Sequence, residues 1–147
     1  MKLKLLLFAL FFGFLGFGQI YQHDFGTTTI TGHPYNVAPP TLNANLSGSS
    51  WSNSNSVWTS FGGSTGQALS LSNSSGTPTY TLTFSVASGF QMSVTQFNFW
   101  RQRSNTGAQN FAMTINGISV GSGTIPTAGA SIGNTNVTNQ EIGRAHV

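Results

Sequence analysis

The sequence predicts an all-β fold, a jelly-roll-like antiparallel β-sandwich, and three observations carry that prediction. Alternation with a period of two recurs, as in YTLTFSV (80–86), whose Tyr, Leu, Phe and Val fall on one face. Apolar runs return at the spacing of about 8 to 12 residues that is typical of sandwiches, separated by Gly-, Ser- and Asn-rich turns. Asn116-Gly117 stands between two alternating runs, where it favours a two-residue hairpin.

The N-terminal half supplies shorter elements. IYQHDF (20–25) predicts a first strand, and ALSLS (68–72) repeats the alternation seen in 80–86. HPYNVAPPT (33–41) contains three prolines, so we expect it to be an extended loop that crosses between sheets.

The run QMSVTQFNFWR (91–101) has two apolar pairs in opposite phases, at positions 92 and 94 and at positions 97 and 99. A strand buries both pairs only if an extra residue intervenes, which predicts a β-bulge near Thr95-Gln96. Beyond the bulge, Phe97 and Phe99 should point inward and Trp100 outward.

FAMTINGISVGSG (111–123) predicts a hairpin with a type I′ turn at its centre. The expected register places Ile115 opposite Ile118 and Met113 opposite Val120, so that the apolar pairs share one face.

Charge is scarce throughout the chain. Charged residues make up 5% of the 147 residues, against about 25% in ordinary soluble domains. The stretch from Gln19 to Gln140 contains two basic residues, Arg101 and Arg103, and one acidic residue, Asp24. Such a balance provides no basic patch, so we expect no nucleic-acid partner. Cysteine is absent, which excludes disulfides and thiolate nucleophiles.

The N-terminus has the pattern of a secretory signal peptide, predicted for 1–18. Lys2 and Lys4 precede an apolar run at 5–15, and small residues follow at Gly16 and Gly18. The apolar run is shorter than the about 20 residues of a transmembrane helix, so the alternative of a retained membrane anchor is less favoured. The mature chain is expected to be secreted or displayed on the outer cell surface.

The last seven residues, EIGRAHV, differ from the rest of the chain in their charge. Glu141, Arg144 and His146 fall within six positions after a nearly uncharged stretch. The segment 141–147 resembles the translation of a DNA adapter used in short-read sequencing. We therefore expect 19–140 to be a β-sandwich module whose C-terminal part is missing; the alternative is a genuine charged tail.

The run from Trp51 to Gly123, and the segment FWRQRSNTG (99–107) above all, resembles an uncharacterised N-terminal module of large secreted surface proteins from Bacteroidetes-type bacteria. The resemblance implies a jelly-roll-like sandwich and a secreted or cell-surface fate, and it implies no activity.

The few acidic and histidine residues between 19 and 140 do not lead us to expect catalysis. Asp24 is the one carboxylate between 19 and 140, so a carboxylate pair is excluded there. His23, Asp24 and His33 match no strong metal-ligand spacing, and no cofactor is expected. A structural Ca²⁺ at Asp24 stays open beside the simpler reading, in which Asp24 accepts hydrogen bonds in a turn or pairs with an arginine.

Three tryptophans suggest carbohydrate binding, because sugar rings stack on exposed aromatic rings. The candidate ligand-binding residues are Trp100, Arg101, Arg103 and Asn105, with Trp58 as a weaker candidate. The alternative is that each tryptophan packs at an end of the sandwich. For the arginines the alternatives are an anionic glycan and an ion pair, with Asp24 or with an acid beyond residue 140.

These observations lead to a functional hypothesis. We expect a secreted or cell-surface, non-catalytic module for adhesion or display, with extracellular glycans as the leading partner. The alternatives are a structural spacer and an accessory domain of a larger secreted enzyme.

Overall fold

The computed structural model describes residues 18–59, 68–72 and 76–144, and within these residues the fold is all-β, as predicted. It has eight strands: β1 (Tyr21–Gln22), β2 (Thr41–Leu42), β3 (Leu46–Asn53), β4 (Tyr80–Val86), β5 (Gln91–Arg101), β6 (Asn110–Ile115), β7 (Ile118–Thr124) and β8 (Ala130–Arg144). No helix in these ranges is long and apolar enough to cross a membrane. The predicted signal peptide lies outside the described residues except for Gly18, as do 145–147 of the adapter-like tail.

All strand pairing is antiparallel. The pairs are β1–β2, β3–β4, β5–β8 and β6–β7. The hairpin β6–β7 is therefore enclosed in sequence by the long pair β5–β8, which continues past residue 140 to Arg144. The finer prediction, that these pairs form a jelly-roll-like sandwich, stays a prediction.

A register irregularity lies where the bulge was predicted, but the expectation that β5 carries the extra residue is wrong. Met92 is buried and Val94 half-buried, Thr95 and Gln96 are both exposed, and the half-buried positions then resume at Phe97 and Phe99. The register shifts between Val94 and Gln96, whose partners are Gln140 and Asn136. Two steps along β5 thus match four along β8, so the surplus residues lie on the partner strand.

The hairpin β6–β7 is confirmed, with one correction to its register. Asn116 and Gly117 have φ of 50° and 80°, the positive values that a type I′ turn requires. Ile115 pairs with Ile118 as expected, but Met113 pairs with Gly121 and not with Val120. The register shifts between positions 113 and 114, so β7 carries one more residue than strict alternation predicts.

The first half of the chain is organised around β3. Its residues pair with β4 from Leu46 opposite Val86 to Asn53 opposite Tyr80. Along the predicted strand 80–86 the exposed Thr and Ser alternate with half-buried Leu82, Phe84 and Val86, while Tyr80 is 47% exposed. The proline-containing segment contacts β3 through Tyr35, which exchanges two backbone hydrogen bonds of 2.9 Å with Trp51.

Aromatic rings pack in three groups among the described residues, and Trp58 with His33 and Tyr80 forms the third. The first, the N-terminal aromatic cluster, joins β1, β3, β4 and the segment between β1 and β2; it comprises Tyr21, His23, Phe25, Tyr35, Trp51 and Phe84. The second joins β5 to β6 through Phe97, Phe99 and Phe111, with an edge-to-face contact of 5.1 Å between the last two ring centroids. Edge-to-face pairs of this kind contribute about 0.5–1.5 kcal/mol beyond area burial.

Candidate functional site

Trp100 lies on the outward face of β5, as predicted, with 47% of its surface exposed. One edge of its indole lies against Gly129, just before β8. A Cβ atom at position 129 would lie 2.6 Å from Trp100 Cζ2, which is too close for any real contact. Glycine at position 129 therefore allows the indole to lie directly on the backbone, a form of close approach for which glycine is suited.

Arg101 uses its guanidinium to bind backbone carbonyls. Its Nε donates to the carbonyl of Thr124 at 2.8 Å and its Nη1 to that of Ala130 at 3.1 Å. The guanidinium carbon also lies 5.8 Å from the centroid of the Phe111 ring, within the range of a cation–π contact. Arg101 thus joins the end of β7 to the start of β8.

The next two residues bind the same connection. Gln102 Nε2 donates to the carbonyl of Thr127 at 2.9 Å, and Arg103 Nε donates to that of Ile125 at 2.8 Å. We call the side chains of 101–103 the arginine clamp. It supplies polar partners to backbone carbonyls at the end of β7, in the connection to β8 and at the start of β8.

The clamp corrects the expectation that an arginine pairs with Asp24. Arg101 and Arg103 bind carbonyls, and Asp24 Oδ1 instead accepts the N–H of Gly26 at 3.0 Å. Asp24 Oδ1 also lies 3.9 Å from His23 Nδ1. A short turn around the aspartate was the simpler alternative, and it is the one observed.

Asn105 and Trp58 lie in different surroundings from Trp100. Asn105 is exposed in the turn after β5, and its carbonyl accepts a hydrogen bond of 3.0 Å from Arg103 Nη1. Trp58 is 2% exposed and packs against His33 and Tyr80, with ring centroids 5.6 and 5.5 Å apart. A ligand cannot stack on Trp58 in this position, so the alternative role in the core describes it better.

The two described histidines, His23 and His33, each accept a hydrogen bond from a backbone N–H. His23 Nδ1 accepts the N–H of Phe25 at 2.9 Å and its Nε2 lies 3.2 Å from the carbonyl of Val37, so a neutral ring with its hydrogen on Nε2 satisfies both contacts. His33 Nε2 accepts the N–H of Asn53 at 3.0 Å. Within the described ranges no three metal-ligating side chains gather.

Two tyrosine hydroxyls are shifted towards their neutral form. Burial raises the pKa of Tyr35 above its usual value of 10.0, and the nearby carboxylate of Asp24 and the hydroxyl of Tyr21 add to the shift. Burial alone raises the pKa of Tyr80. Because both pKa values are raised, the two tyrosine hydroxyls stay neutral over the physiological pH range and can form hydrogen bonds there.

An open groove of about 310 Å³ lies beside the N-terminal aromatic cluster, and sequence reasoning did not find it. Its lining residues come from the segment before β2, from β2 and from β3: Asn36, Ala38, Pro39, Leu42, Gly48 and Ser49. The signal in the sequence was the lone glycine in the run LSGSSW (46–51), because an isolated glycine within a strand pattern indicates a bulge or a close approach. We call this feature the strap groove.

Comparisons of the chain with family models, with curated proteins and with solved structures find no match. The resemblance to secreted surface modules therefore stays an expectation from the sequence.

Replacing Gly129 with alanine is expected to lower the free energy of unfolding by about 2 kcal/mol. The new methyl group would overlap the Trp100 ring, and φ at this position is +71°, a conformation that costs an L-residue about 1–2 kcal/mol. Urea denaturation followed by circular dichroism measures the change.

The double variant Gly129→Ala with Trp100→Ala provides the control, because removing the indole removes the overlap and leaves only the backbone strain. Its loss should be smaller than the sum of the two single losses. Strict additivity would show that the ring and position 129 do not contact each other.

Proposed function

We propose that the chain is an exported, non-catalytic module for adhesion or display, and that the Trp100 surface contacts a glycan. The observation that carries this proposal is the 47% exposure of an indole that lies on the backbone of Gly129. A ring in such a position keeps its orientation when a ligand binds, which lowers the entropic cost of binding.

The polar residues beside Trp100 support a carbohydrate ligand. Gln96, Asn98 and Gln102 are exposed in the same alternating phase of the strand as Trp100. Sugars present an apolar ring face surrounded by hydroxyls, and amide side chains both donate and accept hydrogen bonds. Gln102 is partly committed, because its Nε2 donates to Thr127.

The clamp favours a neutral glycan over an anionic one. The Nε atoms of Arg101 and Arg103 and at least one further N–H of each already donate to carbonyls. An anionic ligand would have to compete with these bonds or use only the remaining edge of each guanidinium.

Export and a non-catalytic role are supported by the sequence. The signal-like N-terminus favours secretion, and the stretch from 19 to 140 offers Asp24 as its one carboxylate.

A glycan array tests the proposal, with the chain compared to its Trp100→Ala variant. We expect binding to one or more neutral polysaccharides, reduced about tenfold or more by the substitution, because the stacking surface is lost. Ile118→Ala is the matched control, since Ile118 is also a large exposed apolar residue, at 54%, and lies at the hairpin turn.

Absence of binding to every glycan would contradict the proposal and favour the structural spacer. The spacer has support of its own, because the arginine clamp donates its hydrogen bonds to carbonyls in and beside the connection between β7 and β8. In that case Trp100→Ala would change stability alone.

A further inference from the structure

The strap groove has the size and lining of a site for one small ring. Its volume of about 310 Å³ falls at the lower end of the range of about 300–1,000 Å³ for ligand sites. Leu42, which is half-buried, provides most of the apolar surface beside the small accessible part of Pro39, and Asn36 provides an exposed amide. None of the six lining residues is ionisable, so the lining suits a neutral ligand.

The backbone of β3 is distorted at this groove. Ser47 pairs with Ser85 and Ser50 with Thr83, so β3 carries one residue more than β4 between these pairs. Gly48 has a φ of +67°, which is the conformation of the first residue of a G1 bulge. Bulges often redirect a side chain beside a functional site, and here the redirected residue is Ser49, whose side chain lines the groove.

Ser49 is connected to a second hydroxyl. Its Oγ lies 3.5 Å from Tyr21 Oη, which accepts a hydrogen bond of 2.7 Å from the indole N–H of Trp51. Because the Trp51 indole can only donate, the Tyr21 hydroxyl keeps its own proton available for an acceptor. Ser49 Oγ is the donor in this long contact, so its lone pairs stay able to accept a hydrogen bond from a ligand hydroxyl.

We propose that the strap groove binds one neutral, polyhydroxylated ring of the size of a hexopyranose. The apolar face of the ring packs on Pro39 and Leu42, and its hydroxyls exchange hydrogen bonds with Ser49 Oγ and the Asn36 amide. This inference rests on the proposed function in its ligand class, but it uses residues that are separate from the Trp100 surface.

Saturation-transfer NMR with the methyl α-glycosides of glucose, mannose and galactose tests the inference. We expect transfer to at least one glycoside with the unmodified chain and with Trp100→Ala. Added to Trp100→Ala, in which the Trp100 surface no longer contributes, Ala38→Phe should abolish the transfer, because a phenyl ring at position 38 fills the groove. Ser49→Ala should weaken it about five- to tenfold, the effect of losing one hydrogen bond to a neutral ligand.

Ala112→Phe is the matched control, because Ala112 is exposed on β6 and does not line the groove. It should bind as the unmodified chain does. Circular dichroism melting of each variant checks the fold, and Ser49→Ala decides the matter if Ala38→Phe fails to fold.

Three results would overturn the inference. Unchanged transfer in the folded double variant of Trp100→Ala with Ala38→Phe, or in Ser49→Ala, would place the glycoside elsewhere. Loss of transfer in Trp100→Ala alone would place it on the Trp100 surface, which leaves the proposed function intact. If none of the three glycosides gives transfer, the groove does not bind such a ring, and the array alone then decides the proposed function.

Discussion

Replacing Trp58 with alanine is expected to lower the free energy of unfolding by about 3–5 kcal/mol, the cost of removing a large buried ring. Trp58 is 2% exposed, and its ring packs between those of His33 and Tyr80. Because few apolar side chains of the described residues are fully buried, the remaining structure has little means to refill the space. Urea denaturation followed by circular dichroism measures the loss.

Trp58→Phe separates ring packing from hydrogen bonding at this position. The buried Nε1 of Trp58 has no partner among the described residues, so phenylalanine keeps part of the ring packing and removes an unpaired donor. We expect this variant to lose less than half as much as Trp58→Ala. Equal losses in the two variants would show that a phenyl ring recovers none of the packing and that this end of the fold requires the full indole.

Replacing Asn53 with alanine is expected to cost about 2–4 kcal/mol, because its side chain closes the turn that follows β3. Asn53 is 7% exposed; its Nδ2 donates to the carbonyl of Val57 at 2.8 Å and its Oδ1 accepts the N–H of Asn55 at 2.8 Å. Each of these two hydrogen bonds contributes about 0.5–1.5 kcal/mol, and the cavity left at the buried position adds to the loss. Chemical denaturation measures this loss as well.

Asn43→Ala is the matched control for this turn. Asn43 Oδ1 accepts the N–H of Asn45 at 2.9 Å in the same kind of local contact, but Asn43 is exposed. Water replaces that bond, so we expect a loss of about 0.5 kcal/mol or less. Similar losses at positions 43 and 53 would show that burial of Asn53 does not determine its contribution.

Local features of this fold could be predicted from the sequence because they depend on neighbouring residues. The alternation in 80–86 and the two apolar pairs of opposite phase in 91–101 predicted which residues of β4 and β5 are half-buried. The pair Asn116-Gly117 gave the hairpin, since the type I′ turn demands residues that tolerate positive φ. The predicted register is correct at Ile115 and Ile118 but wrong at Met113, which pairs with Gly121. The extra residue in β7 that causes this shift leaves no signal in the alternating Gly/Ser sequence.

Features that join distant segments could not be predicted. The pairing of β5 with β8 and the contact between Trp100 and Gly129 depend on how the chain returns after the hairpin. Arg101 and Arg103 were expected to form an ion pair, because a carboxylate is the usual partner of an arginine. In a chain with few carboxylates, the backbone carbonyls of the connection before β8 are the nearer acceptors.

The arginine clamp also determines how the fold responds to ionic strength. Stability that depends on attraction between opposite charges falls as salt shortens the screening length, from about 8 Å at 0.15 M to about 3 Å at 1 M. The guanidiniums of 101 and 103 instead touch neutral carbonyl oxygens at 2.8–3.1 Å, and salt screening weakens such contacts less than it weakens the attraction between two opposite charges. The hydrogen bonds that hold the connection between β7 and β8 should thus persist from dilute buffer to molar salt.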